Sequence, residues 1–185
     1  MTEKYGTEAY LFDLTNKEKK ITTQKKITTL AMEIALSQYF NYRQNLIVPN
    51  ISWGLDIHEC DLLIMSKAGY LSEVEIKISA ADLKKDAGKR HGHYDSRIKA
   101  FYFAIPESLL SHSDHIPERA GILTGAWYGT RFRIKQHRAP VVNSKAPALS
   151  AEDQFKVARL GALRIWSLKS SLNDSRERLK VLSKK

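Results

Sequence analysis

The segment from Asp61 to Ser79, DLLIMSKAGYLSEVEIKIS, constrains the fold most, because it reads as a β-hairpin whose register is set by its own turn. A three-residue loop, Lys67-Ala68-Gly69, with Gly69 in the left-handed position of a bulged turn, pairs Ser66 with Tyr70. Asp61 then lies opposite Glu75, and Glu59 opposite Lys77. Paired residues project from the same sheet face with Cβ atoms about 5 Å apart, so both carboxylates come within reach of one cation. A two-residue turn would shift the pairing by one and separate them. In the second strand Val74, Ile76 and Ile78 alternate with Glu73, Glu75, Lys77 and Ser79, which predicts one face for the core and one that presents charge.

Upstream, QKKITTLAMEIALSQYF predicts a helix over 24–40 with Thr22 or Thr23 as N-cap. Ile27, Leu30, Ala31, Ile34 and Ala35 form its apolar stripe. Glu33 shares a row with Leu36 and Phe40, surroundings in which a carboxylate needs a cation or hydrogen-bond donors, unless it reaches water from the flank.

The order of these parts resembles the PD-(D/E)XK nuclease superfamily: a helix with Glu33, a strand with Asp61, a strand with Glu75-Ile76-Lys77, then a helix and a further strand. More closely, DLLIMSKAGYLSEVEIKISAADLKKD, YDSRIKAFYFAIPES and PERAGIL are similar to the DNA-repair proteins called MmcB-like, over roughly residues 24–127. The resemblance implies an α/β fold with a restriction-endonuclease-like αβββαβ core: a central mixed sheet flanked by helices, here with extra strands and a C-terminal helix. It implies a Mg²⁺- or Mn²⁺-dependent deoxyribonuclease of the endonuclease type, acting in DNA repair or processing. Asp61, Glu75 and the backbone carbonyl of Ile76 would hold the ion. Lys77 would orient the attacking water or stabilise the charged transition state, and Glu33 would support the metal shell. Cys60 stands where the family has a proline, which makes Glu59 the nearest substitute ligand for Asp61.

The residue types suit this chemistry on their own terms. Mg²⁺ takes oxygen ligands and keeps several waters, so two carboxylates and a carbonyl leave positions for water and a phosphate oxygen. Charge grows on the phosphoryl oxygens in the transition state, where a pre-placed ammonium helps. Lys77 between carboxylates should stay protonated, which favours electrostatic assistance over a general-base role.

The charge balance, 30 Lys plus Arg against 20 Asp plus Glu, gives a net +10 and suits a nucleic-acid partner, DNA favoured, although a basic surface also serves solubility alone. Lys84, Lys85, Lys89, Arg90, His91, His93 and Arg97 follow the Glu75-x-Lys77 strand and are the expected phosphate contacts, with Tyr94 placed to stack on a base or to pack. Arg131, Arg133 and Lys135 alternate on one face of an expected strand, and Arg176, Arg178, Lys180, Lys184 and Lys185 make the tail basic. The pair His91-Gly92-His93, without CxxC or HExxH, does not make a structural zinc pattern and suits phosphate contact or a solvated loop. Cys60, the one cysteine, excludes an internal disulfide and reads as a small buried hydrophobe.

No apolar run approaches the roughly 18 residues of a membrane span, and the first twenty residues lack the apolar stretch of a signal peptide. A cytoplasmic protein is expected. The organisation expected is an N-terminal extension over 1–20, a nuclease-like core with added strands over 21–138, a linker loop over 139–150, and a C-terminal helix with basic tail over 151–185. Phe155, Ala158, Ala162, Ile165 and Trp166 give that helix an apolar face for the core or for a second subunit in a homodimer.

Overall fold

The computed structural model describes residues 25–86 and 93–183. Among them, a six-stranded mixed sheet runs in chain order, β1 to β6. Helix α1 (Thr29–Tyr39) leads into β1 (Leu46–Ile51), β2 (Cys60–Met65) and β3 (Leu71–Ile76), each antiparallel to its neighbour. Helix α2 (Ala80–Asp86) lies in the crossover to β4 (Ile98–Pro106), which pairs parallel with β3 and with β5 (Gly121–Tyr128). A 3₁₀ segment (Glu107–His115) separates β4 from β5, and β6 (Arg131–Arg138) closes the sheet as a hairpin with β5 before the long α3 (Ala151–Leu182). No helix among the described residues is long and apolar enough to cross a membrane.

The hairpin forms as its turn dictates. Gly69 has φ +82°, its N–H donates to the Ser66 carbonyl at 2.8 Å, and the Ser66 N–H donates to the Tyr70 carbonyl at 2.9 Å. Pairing from Met65↔Leu71 to Leu62↔Val74 carries the register up to Asp61 and Glu75. A side chain at Gly69 would adopt a left-handed conformation, and its Cβ would meet the Gln154 amide nitrogen at 2.9 Å. Gly69→Ala should therefore cost about 1–2 kcal/mol, read as a lowered melting temperature; an unchanged value would mean that the turn does not set the register.

Two apolar layers sandwich the sheet. On one face Leu62, Ile64, Val74 and Ile76 pack with Met32 and Leu36 of α1. On the other, Leu63, Leu71, Phe101 and Phe103 pack with Leu83 of α2 and Val157 and Leu160 of α3. The sequence stripe placed α1 one row off. Leu30 and Ile34 are exposed while Met32, Ala35 and Leu36 are buried, and the N-cap is Thr28, whose hydroxyl accepts the Ala31 N–H at 3.1 Å. Capping at Thr28 rather than at Thr22 or Thr23 also shortens the helix.

The expected linker over 139–150 is docked instead. Its backbone donates from Val141 to Arg119, from Asn143 to Lys99 and from Leu149 to Gly69, and Ala146 and Leu149 are buried. Helix α3, capped by Ser150, runs to Leu182, so the basic tail is helical almost to its end. Its expected apolar face points outward, with Phe155, Ile165 and Trp166 exposed; Val157 and Leu160 make the buried contact instead. From Ile165 onward every described residue is exposed, so the tail is not packed on the core. The alternation in β6 is as expected, with Arg131, Arg133 and Lys135 outward and Phe132 and Ile134 against the core.

Candidate functional site

The polar row of β3 does not present charge to solvent. Glu73 and Glu75 are 0% and 1% exposed and Lys77 is 9% exposed, because β3 is an interior strand covered on that side. The residues between β1 and β2, helix α2 and the segment around His93 close over it. Buried charges of this kind persist only when paired and hydrogen-bonded, as these are.

Lys77 is the centre of one half of the cluster. Its ammonium contacts Glu75 Oε2, Asp61 Oδ2 at 3.4 Å and Asp86 Oδ1 at 3.3 Å. Burial opposes its charge, but Glu75, then Asp61 and Asp86, hold the amine protonated far above neutral pH. Glu75 is pushed up from the usual carboxylate range by burial and by the charge of Asp61, against the pull of Lys77 and His93. Asp61 Oδ2 also accepts the Ile76 N–H at 2.7 Å, which fixes the carboxylate across the strand pair. Asp61 keeps 35% side-chain exposure and, with Thr29, Ile76, Lys77, Lys85 and Asp86, lines an open polar cleft of about 340 Å³. A larger apolar groove, about 470 Å³ between α1 and the β5–β6 hairpin, contains none of these residues.

Glu33 is half-buried, as its helical row implied. Burial raises its carboxyl above the usual range and the charge of Asp61 raises it further, while the Asn50 side chain opposes both by hydrogen bonding. The expected set Glu33, Asp61, Glu75 and Lys77 is thus drawn together, with Glu59 exposed beside β2. These donors fit a magnesium-type ion: the Asp61 and Glu75 carboxylates already converge on one cationic group, and they offer oxygen.

The second half of the cluster was not legible as a unit. His58 Nε2 donates to both Glu73 oxygens, at 2.8 and 2.9 Å, and His93 Nδ1 donates to Glu73 Oε1 at 2.8 Å. His93 Nε2 donates to Asp86 Oδ2 at 2.8 Å. Its ring stacks on Phe101 at 4.9 Å and meets Phe103 edge-on. With ionised carboxylates at both nitrogens, His93 carries both protons. Burial disfavours that charge, but Asp86 and Glu73 outweigh it and push the imidazole up to about 9. Burial likewise raises Glu73, but hydrogen bonds from His58 and His93 win and hold it below the usual carboxylate range.

The expected phosphate contacts divide accordingly. Lys84, Lys85 and Tyr94 are exposed, and the Tyr94 ring lies 4.1 Å from the Arg119 guanidinium. His93 is buried at 2% exposure and faces carboxylates, so it is neither a solvated loop residue nor a phosphate contact. Arg97 is committed to Asp95 at 2.7 Å and to the Leu55 and Asp56 carbonyls, a structural clamp rather than a phosphate ligand. Lys89, Arg90 and His91 lie outside the described residues. Cys60 is buried as expected, and burial together with the nearby Glu73, Glu75 and Asp61 charges pushes its thiol up, away from reactivity.

No protein-family model and no curated protein matches the chain. Among solved structures it is similar to SPO1766, a protein of unknown function from Silicibacter pomeroyi. The two share 14% identity with a TM-score of 0.55, over 78% of this chain and 90% of that one. The likeness is one of fold alone; this chain is an α/β protein with a six-stranded mixed sheet and a C-terminal helix among its described residues.

Proposed function

We propose that the protein is a metal-dependent nuclease that hydrolyses phosphodiester bonds in DNA, on a restriction-endonuclease-like core. The observation that carries this reading is the Lys77 ammonium in contact with both Asp61 and Glu75 at the wall of an open cleft. The succession α1, β1–β3, α2, β4 is also the order expected of that core. Asp61, Glu75 and the Ile76 carbonyl would hold Mg²⁺ or Mn²⁺, which when bound supplies an acidified water and positive charge beside the phosphate. Lys77, held protonated well above neutral pH, is suited to stabilise charge developing on a phosphoryl oxygen and unsuited to accept a proton. Glu33, with its raised carboxyl, supports Asp61 from α1.

Lys84 and Lys85, exposed on α2, are suited to bind the DNA backbone, and Lys85 reaches the cleft itself. Replacing both by Ala should weaken DNA binding regardless of sequence and flatten its salt dependence by up to about 0.9 in log–log slope for each phosphate no longer neutralised. Fluorescence anisotropy over a salt series checks this, and an unchanged slope would remove α2 from the interface.

A second reading, a non-catalytic DNA-binding protein on the same fold, draws on the same ammonium, which already neutralises the carboxylates. Wild type and Asp61→Asn, assayed on duplex, single-stranded and branched DNA with Mg²⁺, Mn²⁺ or chelator, separate the two. The nuclease reading expects metal-dependent cleavage by wild type that Asp61→Asn loses while binding persists. Binding without cleavage on every substrate favours the binder.

A further inference from the structure

The donors on the far side of Glu75 differ in kind from those in the cleft. They come from three separate pieces of chain: His58 before β2, Glu73 within β3, and His93 after α2. One ligand atom from each lies within 4.8 Å of the other two, and the two nitrogens sit 2.8 Å from the same Glu73 oxygen. Neighbouring ligands around a small divalent ion are separated by about 3 Å when each bond is near 2.1 Å. Two imidazoles and a carboxylate suit a borderline cation such as Zn²⁺, whereas magnesium chemistry prefers oxygen alone.

The surroundings repeat what metal-bound histidines need. A ligating imidazole characteristically gives its other N–H to a carboxylate, which fixes ring orientation and tautomer, and His93 Nε2 faces Asp86 Oδ2 at 2.8 Å. Phe101 and Phe103 wall the same ring. His93 also holds a left-handed backbone, φ 56°, which sets the direction of its side chain from the turn. Glu75 Oε1 lies 3.9 Å from His93 Nδ1, on the side away from Lys77's contact at Oε2, so Glu75 stands between the cleft and this cluster.

We propose that His58, Glu73 and His93 form a second, buried metal site for a transition-metal cation of the Zn²⁺ class, with Asp86 orienting His93. The site is distinct from the Asp61 cleft and does not rest on the nuclease reading. The metal takes the place of the N–H protons that both His58 Nε2 and His93 Nδ1 direct at Glu73: His58 keeps its remaining proton at Nδ1 and His93 at Nε2 toward Asp86, so binding releases the displaced proton of His93 and tightens as pH rises.

The test is calorimetric titration of the chelator-treated full chain with Zn²⁺ alone, in buffers of different ionisation enthalpy. One equivalent per chain bound with net proton release, in addition to any held by the Asp61 cleft, is expected. His58→Gln, at a loop position, removes a direct ligand and should weaken binding by at least about tenfold, while His137→Gln, at an exposed position on β6, binds as wild type does. Co²⁺ provides a readout independent of any variant: hyperfine-shifted imidazole resonances from two histidines are expected in the wild-type proton spectrum. Absence of a stoichiometric Zn²⁺ site in wild type, equal affinity in His58→Gln, or no shifted imidazole resonances would each overturn the proposal.

Discussion

On the proposed nuclease reading, Lys77→Ala should lower metal-dependent cleavage by about 10²–10³-fold while leaving DNA affinity within a factor of two or three, because there the ammonium would act on developing charge rather than on phosphates at the surface. Its position explains the asymmetry. The nitrogen is enclosed by Glu75, Asp61 and Asp86, and they hold its charge well above neutral pH. Such a group contributes little to long-range attraction of a polyanion and much to a local transition state. Removing it also leaves Glu75, Asp61 and Asp86 without their shared cation, so the Glu75 carboxyl should rise further. Lys77→Arg should recover only part of the rate, since a planar guanidinium does not occupy the point at which these oxygens meet. Single-turnover cleavage measured beside anisotropy checks the split. A parallel loss of rate and binding would make Lys77 part of the DNA-holding surface instead.

Glu73→Ala should be among the most damaging single changes to the fold. The carboxylate is fully buried and receives both His58 and His93, so its loss strands a buried imidazolium and should cost about 3–5 kcal/mol. Chemical denaturation in chelator measures this, and a cost below about 1 kcal/mol would mean that the histidines find other partners. The same cluster sets a pH dependence. The folded His93 imidazole stands at about 9 against an ordinary 6.5. Its stabilisation is therefore complete below about pH 6.5 and is lost as pH rises through 9, a total of about 3 kcal/mol. Glu73, held below its ordinary range, contributes in the opposite sense, through stability that disappears as pH falls through its lowered folded value. Chelator-treated wild type should lose stability at both ends, and Asp86→Asn should lose less than wild type at the alkaline end.

What the sequence made legible was what short-range chemistry determines. Gly69 defined a turn, the turn defined a register, and the register set Asp61 against Glu75. Alternation in Arg131–Arg138 separated the outward basic residues from Phe132 and Ile134 in the same way. Helix facing was less readable. In α1 the stripe through Leu30 and Ile34 competes with the row through Met32 and Leu36, and only packing on the sheet decides between them. In α3 the longer apolar row faces outward, since contact with the sheet is made at Val157 and Leu160. The histidine half of the cluster is non-local, joining residues fifteen and twenty positions apart, and no spacing motif announces it. One signal was present: Glu73, Glu75 and Lys77 lie on one face of a strand with neighbours on both sides, and such a row requires buried counter-charges.

The most direct test of the central claim is diffraction from crystals grown with Mn²⁺, using its anomalous signal. The predicted result is a peak bounded by the Asp61 and Glu75 carboxylates and the Ile76 carbonyl, with the Lys77 ammonium moved off its bridge between the two acids. Absence of a peak there at saturating Mn²⁺, with Lys77 still spanning both carboxylates, would contradict the claim.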